Sequence, residues 1–225
     1  MNSNKTTARI FGVFFLLAFI AYGFGNGIVE NISNSPGGLT NIYTNKSILI
    51  IGAILMALIH TFLNIGLAVI MFKILKQYNG YMAFGYLSAA ISATVMLIFG
   101  AVFLFLLVPL SEEFIKAAPT DLQYFQSLYL LLKKGNFFAY QLGMAIWGLG
   151  GLMLCYLLYL SKLVPKAIAI WGFIGYIVFI AGTILELFGN RLGLIFDIPG
   201  GLFEIFLSIW LIVKGFNNSN LNNIV

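Results

Sequence analysis

The chain carries six long runs almost free of charge: Ile10 to Val29, Ile48 to Phe72, Ala83 to Val108, Phe137 to Leu160, Ala167 to Phe188 and Ile198 to Val213. Each approaches the roughly 20 residues that take an α-helix across a bilayer. Hydrocarbon offers the backbone no hydrogen bonds, so runs of this length fold as helices that satisfy themselves. Composition agrees: 61% of the 225 residues are hydrophobic and 8% charged, against roughly 45–50% and about 25% in a soluble domain. The expectation is an all-α polytopic membrane protein, a bundle of six transmembrane helices forming one domain over residues 1–225.

Two ends of this pattern admit alternatives. The first run follows Lys5 and Arg9 and reaches Ala21-Tyr22-Gly23, the outline of a signal peptide. Its apolar continuation to Val29 is long enough to span. The sixth run is the shortest, with Asp197-Ile198-Pro199-Gly200-Gly201 at its start. Either Asp197 caps that helix with Pro199 in its first turn, or the helix begins at Leu192 and Pro199 kinks it.

Positive charge sets the expected orientation. With the N-terminus inside the cell membrane, Lys5, Arg9, Lys73, Lys76, Lys162, Lys166 and Lys214 fall on the cytoplasmic side, and Lys46, Lys116, Lys133, Lys134 and Arg191 outside. The bias is modest, but the loops around Lys73/Lys76 and Lys162/Lys166 carry Lys without acid. Both termini are therefore expected in the cytoplasm. A net charge of +5 does not imply nucleic acid as a partner, because these cations stand singly or in pairs between apolar runs, as beside an anionic membrane face.

The connection between the third and fourth runs has its own pattern. Thr120 and Gln123 fit a capping box, Gly135 fits a stop, and Leu122, Phe125, Leu128, Tyr129 and Leu132 recur at helical spacing. This predicts an outer helix that either lies on the membrane surface or packs on protein. Asn31 to Asn45, rich in Asn, Ser and Gly with Pro36, reads as a flexible loop. Gly85, Ala89 and Ala93 on the third run, and Gly23 and Gly27 on the first, have the four-residue spacing that lets helices approach closely, within one chain or in a dimer.

The opening Lys5 to Val13, with Arg9-Ile10-Phe11-Gly12, and the ending Pro199 to Glu204 followed by Trp210-Leu211-Ile212-Val213-Lys214-Gly215-Phe216 carry a resemblance. The chain resembles a family of small bacterial membrane proteins catalogued as a domain of unknown function. The resemblance implies one multi-helix membrane domain over nearly the whole chain. It implies no activity, cofactor or partner, and gives Glu204 no role.

Independently, all seven acidic residues, Glu30, Glu112, Glu113, Asp121, Glu186, Asp197 and Glu204, fall in outer connections or in the outer half of a span. Glu204 stands near the middle of the sixth run, where a carboxylate costs roughly 2.5 to 3.5 kcal/mol unless paired or protonated. His60, the only histidine, lies near the middle of the second run with Asn64 one turn on. A His60–Glu204 pair would satisfy both. Glu30, Gln141, Glu186, Arg191 and Asp197 would extend it into an outward-facing polar cavity for a small polar or cationic ligand, or for protons. The alternatives are an enzyme acting on a lipid or outer-leaflet substrate, with Glu204, Glu186 or Asp197 as acid and base, and a structural or interaction protein without a ligand site, in which the surface helix from Pro119 to Lys134 is the working part and the buried polar groups tie helices together.

No cofactor or metal is expected. One histidine and one cysteine, Cys155, fall short of the usual zinc ligand sets and of bis-histidine haem ligation. Nucleotide, metalloprotease and nucleophile-elbow motifs are not found in the sequence. The Gly148, Gly150 and Gly151 cluster is apolar and within a run, and reads as a packing feature.

Overall fold

The computed structural model describes residues 3–190 and 193–217. They form α1 (Ser3–Ser33), α2 (Leu39–Thr44), α3 (Lys46–Ile54), α4 (His60–Leu75), α5 (Gly80–Lys116), α6 (Leu122–Ser161), α7 (Lys166–Leu187) and α8 (Ile198–Val213). A π-helical turn, Leu55–Ile59, joins α3 to α4, and short 3-10 turns precede α6 and α8. No strand occurs among the described residues.

Five stretches are long and apolar enough to cross a membrane, within α1, α3 to α4, α5, α6 and α7, and α8 is a shorter apolar helix. In these five stretches only 28–44% of the apolar window is buried inside the protein. Large side chains such as Phe24, Leu58, Phe62, Phe84 and Ile174 are exposed. Water would not tolerate that surface, and lipid does. The protein is an all-α polytopic membrane protein.

Where the helices end departs from the run boundaries. The expected stop at Gly135 does not occur: α6 continues for 40 residues, fusing the outer helix with the fourth span. A Cβ on Gly135 would stand 2.9 Å from the Phe103 ring, so this glycine serves close packing of α6 on α5. Thr120 bonds the Asp121 carboxylate at 3.3 Å, so the predicted capping box is not formed as drawn. At 37 and 40 residues, or about 55 and 60 Å at 1.5 Å per residue, α5 and α6 outrun a hydrocarbon core of roughly 30 Å. Pro109 lies inside α5, where it withholds an N–H from the helical ladder without ending the helix.

The chain forms two compact units, residues 1–18, 62–94 and 141–225 in unit 1 and residues 19–61 and 95–140 in unit 2. The core of unit 2 includes Val29, Ile32, Leu39, Ile42, Leu49, Met56, Leu104, Leu107 and Tyr129. Leu39 and Ile42 are completely buried on α2, so the segment expected as a flexible loop is instead an ordered part of this core. Asn41 holds it, donating to the Ile32 carbonyl at 2.8 Å. Phe125 meets Phe114 edge to face, 6.0 Å between centroids, so the early part of α6 packs on protein. Lys46 pairs with Glu112 at 2.7 Å, and the Tyr129 hydroxyl donates to the Ser33 carbonyl.

In unit 2 the close crossing on α1 is made by a different glycine from those expected. Gly23 and Gly27 have nothing within 4 Å of an added Cβ, whereas one on Gly25 would lie 2.7 Å from the Gly52 carbonyl of α3. In unit 1 the small-residue stripe of α5 does meet α6: a Cβ on Gly85 would stand 2.7 Å from the Met153 sulfur, and one on Gly150 would stand 3.0 Å from the Ala89 Cβ.

Candidate functional site

Glu204 is the seventh residue of α8, and its position follows from three glycines. Pro199 occupies the first turn of α8, where its missing N–H is an orphan in any case. Asp197 precedes the helix with αR dihedrals and makes no side-chain capping bond, so it does not cap. Gly175 then lets α7 approach the start of α8, with an added Cβ only 3.1 Å from the Pro199 carbonyl. Gly172 leaves room for the Phe203 ring, and Gly151 of α6 leaves room for the Tyr176 ring, each of which an added Cβ would strike. The Gly148, Gly150 and Gly151 cluster is therefore the seat of α7 and α5 on α6.

These approaches deliver two donors to one oxygen. Glu204 Oε1 accepts from Trp147 Nε1 of α6 at 2.9 Å and from Tyr176 Oη of α7 at 2.8 Å. Among the described residues no Lys, Arg or His stands within ion-pair distance of Glu204. The residue as a whole is half-buried. Tyr86 and Cys155 lie within electrostatic range of its carboxyl. The Tyr86 hydroxyl is buried without a hydrogen-bond partner, the kind of group that a water or a small ligand satisfies. Trp147 is braced from its other side by Phe15, edge to face at 6.1 Å.

A second polar group lies in the same unit. Gln141 Nε2 donates to the Glu186 carboxylate, and Glu186 is close enough to Asp197 to act on its charge. Burial, and then the negative charge of Glu186, push the Asp197 carboxyl up to about 6. Asp197 and Glu204 are separated along α8 by seven residues, or about 10 Å. Arg191, expected beside them, lies outside the described residues.

The remaining predicted residues have other neighbours. Asn64 donates to Thr94 Oγ1 at 3.1 Å, a tie between α4 and α5 inside unit 1. Glu30 is exposed at the end of α1, where it accepts from Asn34, and Asn34 in turn accepts from Lys133. His60 belongs to unit 2. The π turn makes its backbone N–H bond the Leu55 carbonyl, and its ring stands against Tyr22 at 5.2 Å with Nδ1 buried and without a partner. π turns of this kind recur at functional sites. Trp147, Tyr176 and Tyr86 are not among the expected site residues, because hydropathy counts Trp and Tyr as apolar and hides the N–H and O–H that they carry. The available signal is chemical: a carboxyl in a span needs donors, and these are the donor types that hydrocarbon tolerates.

Among the described residues no group of three or more His, Cys, Asp or Glu side chains converges to hold a metal ion. What the Glu204 site can do is gain or lose a proton, or accept a cation, while two neutral donors hold one carboxyl oxygen fixed.

No curated protein and no solved structure matches the chain. A family described as a domain of unknown function (DUF4386) matches residues 10–215, which contain every described site residue named above. The chain belongs to the DUF4386 family.

Proposed function

We infer that this membrane protein takes up a proton, or a small cationic ligand, at Glu204, with Gln141, Glu186 and Asp197 forming a second polar station in the same unit. The observation that carries this is the pairing of Glu204 with two neutral donors and no basic side chain among the described residues. An ion left uncompensated in a span is costly, so such a carboxyl either holds a proton or waits for a positive charge from outside the chain. A lasting ion pair with Lys or Arg would have removed that capacity. The buried Tyr86 hydroxyl adds a free polar contact beside it.

Trp147 is a built-in reporter, since its indole bonds the carboxyl directly. In a chain whose other tryptophans, Trp171 and Trp210, are changed to Phe, Trp147 emission is expected to follow pH in a sigmoid that Glu204→Gln abolishes. At fixed pH, sodium or ethylammonium ions moving the same signal would identify a cation site. Identical pH curves with and without Glu204 would overturn the reading. The rival in which polar groups only tie helices together has support in the Asn64 and Gln141 bonds. It predicts those identical curves.

The protein is further proposed to lie in the cell membrane with its N-terminus in the cytoplasm. The positive-inside rule assigns Lys5, Arg9, Lys73, Lys76, Lys162, Lys166 and Lys214 to that side, and the two inner loops, around Lys73/Lys76 and Lys162/Lys166, carry Lys without acid. A cysteine introduced at Lys76, in a Cys155→Ala background, is expected to react with a membrane-impermeant maleimide only after cells are opened. Labelling of intact cells would contradict this orientation.

A further inference from the structure

The two donors of the Glu204 site, Trp147 and Tyr176, both bond Oε1, which leaves Oε2 for another partner. Tyr86 of α5 supplies a further polar atom. Only 1% of this residue is exposed, and its hydroxyl is buried without a hydrogen-bond partner. Buried orphan hydroxyls are rare, and each points to a partner that the chain itself does not supply.

Adjacent glycines of α6 bring the two tyrosines together. A Cβ on Gly151 would strike the Tyr176 ring, and one on Gly150 would stand 3.8 Å from the Tyr86 ring. The Tyr86 hydroxyl is accordingly within electrostatic range of both Glu204 and Tyr176. Trp147 stands one turn before Gly151 on the same helix. All of these residues belong to unit 1. Glu204 and Trp147 each keep part of their surface accessible, so the carboxyl is not sealed off.

The kind of cation follows from the acceptor set. A hard metal ion takes about six or more oxygen ligands. Here Glu204 Oε2 and the Tyr86 hydroxyl have rings beside them, Trp147, Tyr176 and Phe203, and the Cys155 sulfur packs with Phe203 at Gly172. Among the described residues no three His, Cys, Asp or Glu side chains converge. An N–H cation asks for less: its protons need acceptors in two or three directions, and the rest of its charge can lie against ring faces. Resting on the reading of Glu204 as an exchangeable carboxyl, we propose that this site is built for a small N–H cation, ammonium or a primary alkylammonium head, which donates to Glu204 Oε2 and the Tyr86 hydroxyl together. Tyr86 is then the residue that selects it over a metal ion.

The test uses the full chain in neutral detergent with Trp171→Phe and Trp210→Phe, so that emission reports Trp147. Ammonium, methylammonium and potassium chlorides are titrated at equal ionic strength, at one pH above the Glu204 midpoint. Potassium is close to ammonium in size but donates no hydrogen bond. Ammonium and methylammonium are expected to move the emission saturably, with potassium weaker by about tenfold or more. Tyr86→Phe keeps the ring and deletes one acceptor, and is expected to raise half-saturation for ammonium about tenfold or more, the effect of one hydrogen bond to a charged group. The ammonium and potassium comparison on the parent site decides the matter if Tyr86→Phe fails to fold. Equal action of ammonium and potassium, or unchanged ammonium binding in Tyr86→Phe, would overturn the proposal and leave proton exchange at Glu204 standing. So would a persisting pH response with no saturation by any of the three salts, the outcome expected if one buried water satisfies Tyr86. A pH response indifferent to Glu204→Gln would overturn the reading of Glu204 and this proposal with it.

Discussion

Asp197 gives the protein a pH dependence whose sign can be worked out. In the folded chain its carboxyl keeps its proton up to about pH 6, through burial and the neighbouring Glu186 charge, whereas an unfolded aspartate releases it near about 4. The folded state therefore binds more protons between those values. Stability from this residue is present below about pH 4, falls as pH climbs to about 6 and stays low above it. Asp197→Asn removes the loss. It is expected to raise the melting temperature at pH 7.5 and to change it little at pH 4.5, and an equal change at both would contradict the assignment. At this scale the sequence shows which residues are out of place in hydrocarbon, Glu204 and His60 above all. It does not show their partners, because Trp147 and Tyr176 reach Glu204 only after Gly151 and Gly172 have set how closely three helices approach.

Among the elements, the crossing of α1 on α3 separates a packing glycine from glycines that merely share a spacing. Gly25 faces the Gly52 carbonyl and the Met56 side chain, while Gly23 and Gly27 face open space. Gly25→Ala must push a backbone apart and is expected to cost about 1–3 kcal/mol. Gly23→Ala gains helix propensity, worth roughly 0.5–1 kcal/mol. Thermal unfolding in detergent checks the pair, and a loss at Gly23 with none at Gly25 would reverse the assignment. The four-residue rule selects Gly23 and Gly27 because it counts spacing alone, and the face that a helix buries is fixed by its neighbours. Gly135 misleads for a related reason, since a helix-stopping glycine and a glycine admitting a Phe103 ring look alike in one dimension. The Asn31 to Asn45 segment hides its order in two apolar residues, Leu39 and Ile42, too few to show a period.

For the whole molecule, hydropathy carries most of what is legible. Long apolar runs have one solution in lipid, so spans and fold class follow from composition and length. Helix ends do not, because α5 and α6 continue beyond the apolar runs, where the hydropathy signal stops. The family match over residues 10–215 agrees with the extent of the described helices and leaves the chemistry of the chain open. That chemistry rests on whether Glu204 exchanges a proton. Infrared difference spectroscopy between acid and alkaline pH, on the protein in lipid, reads this directly. Proton exchange at Glu204 predicts a protonated-carboxyl band that appears with acid, shifts when Tyr176→Phe removes one of its donors, and is absent in Glu204→Gln. A carboxyl difference spectrum unchanged by Glu204→Gln would contradict it.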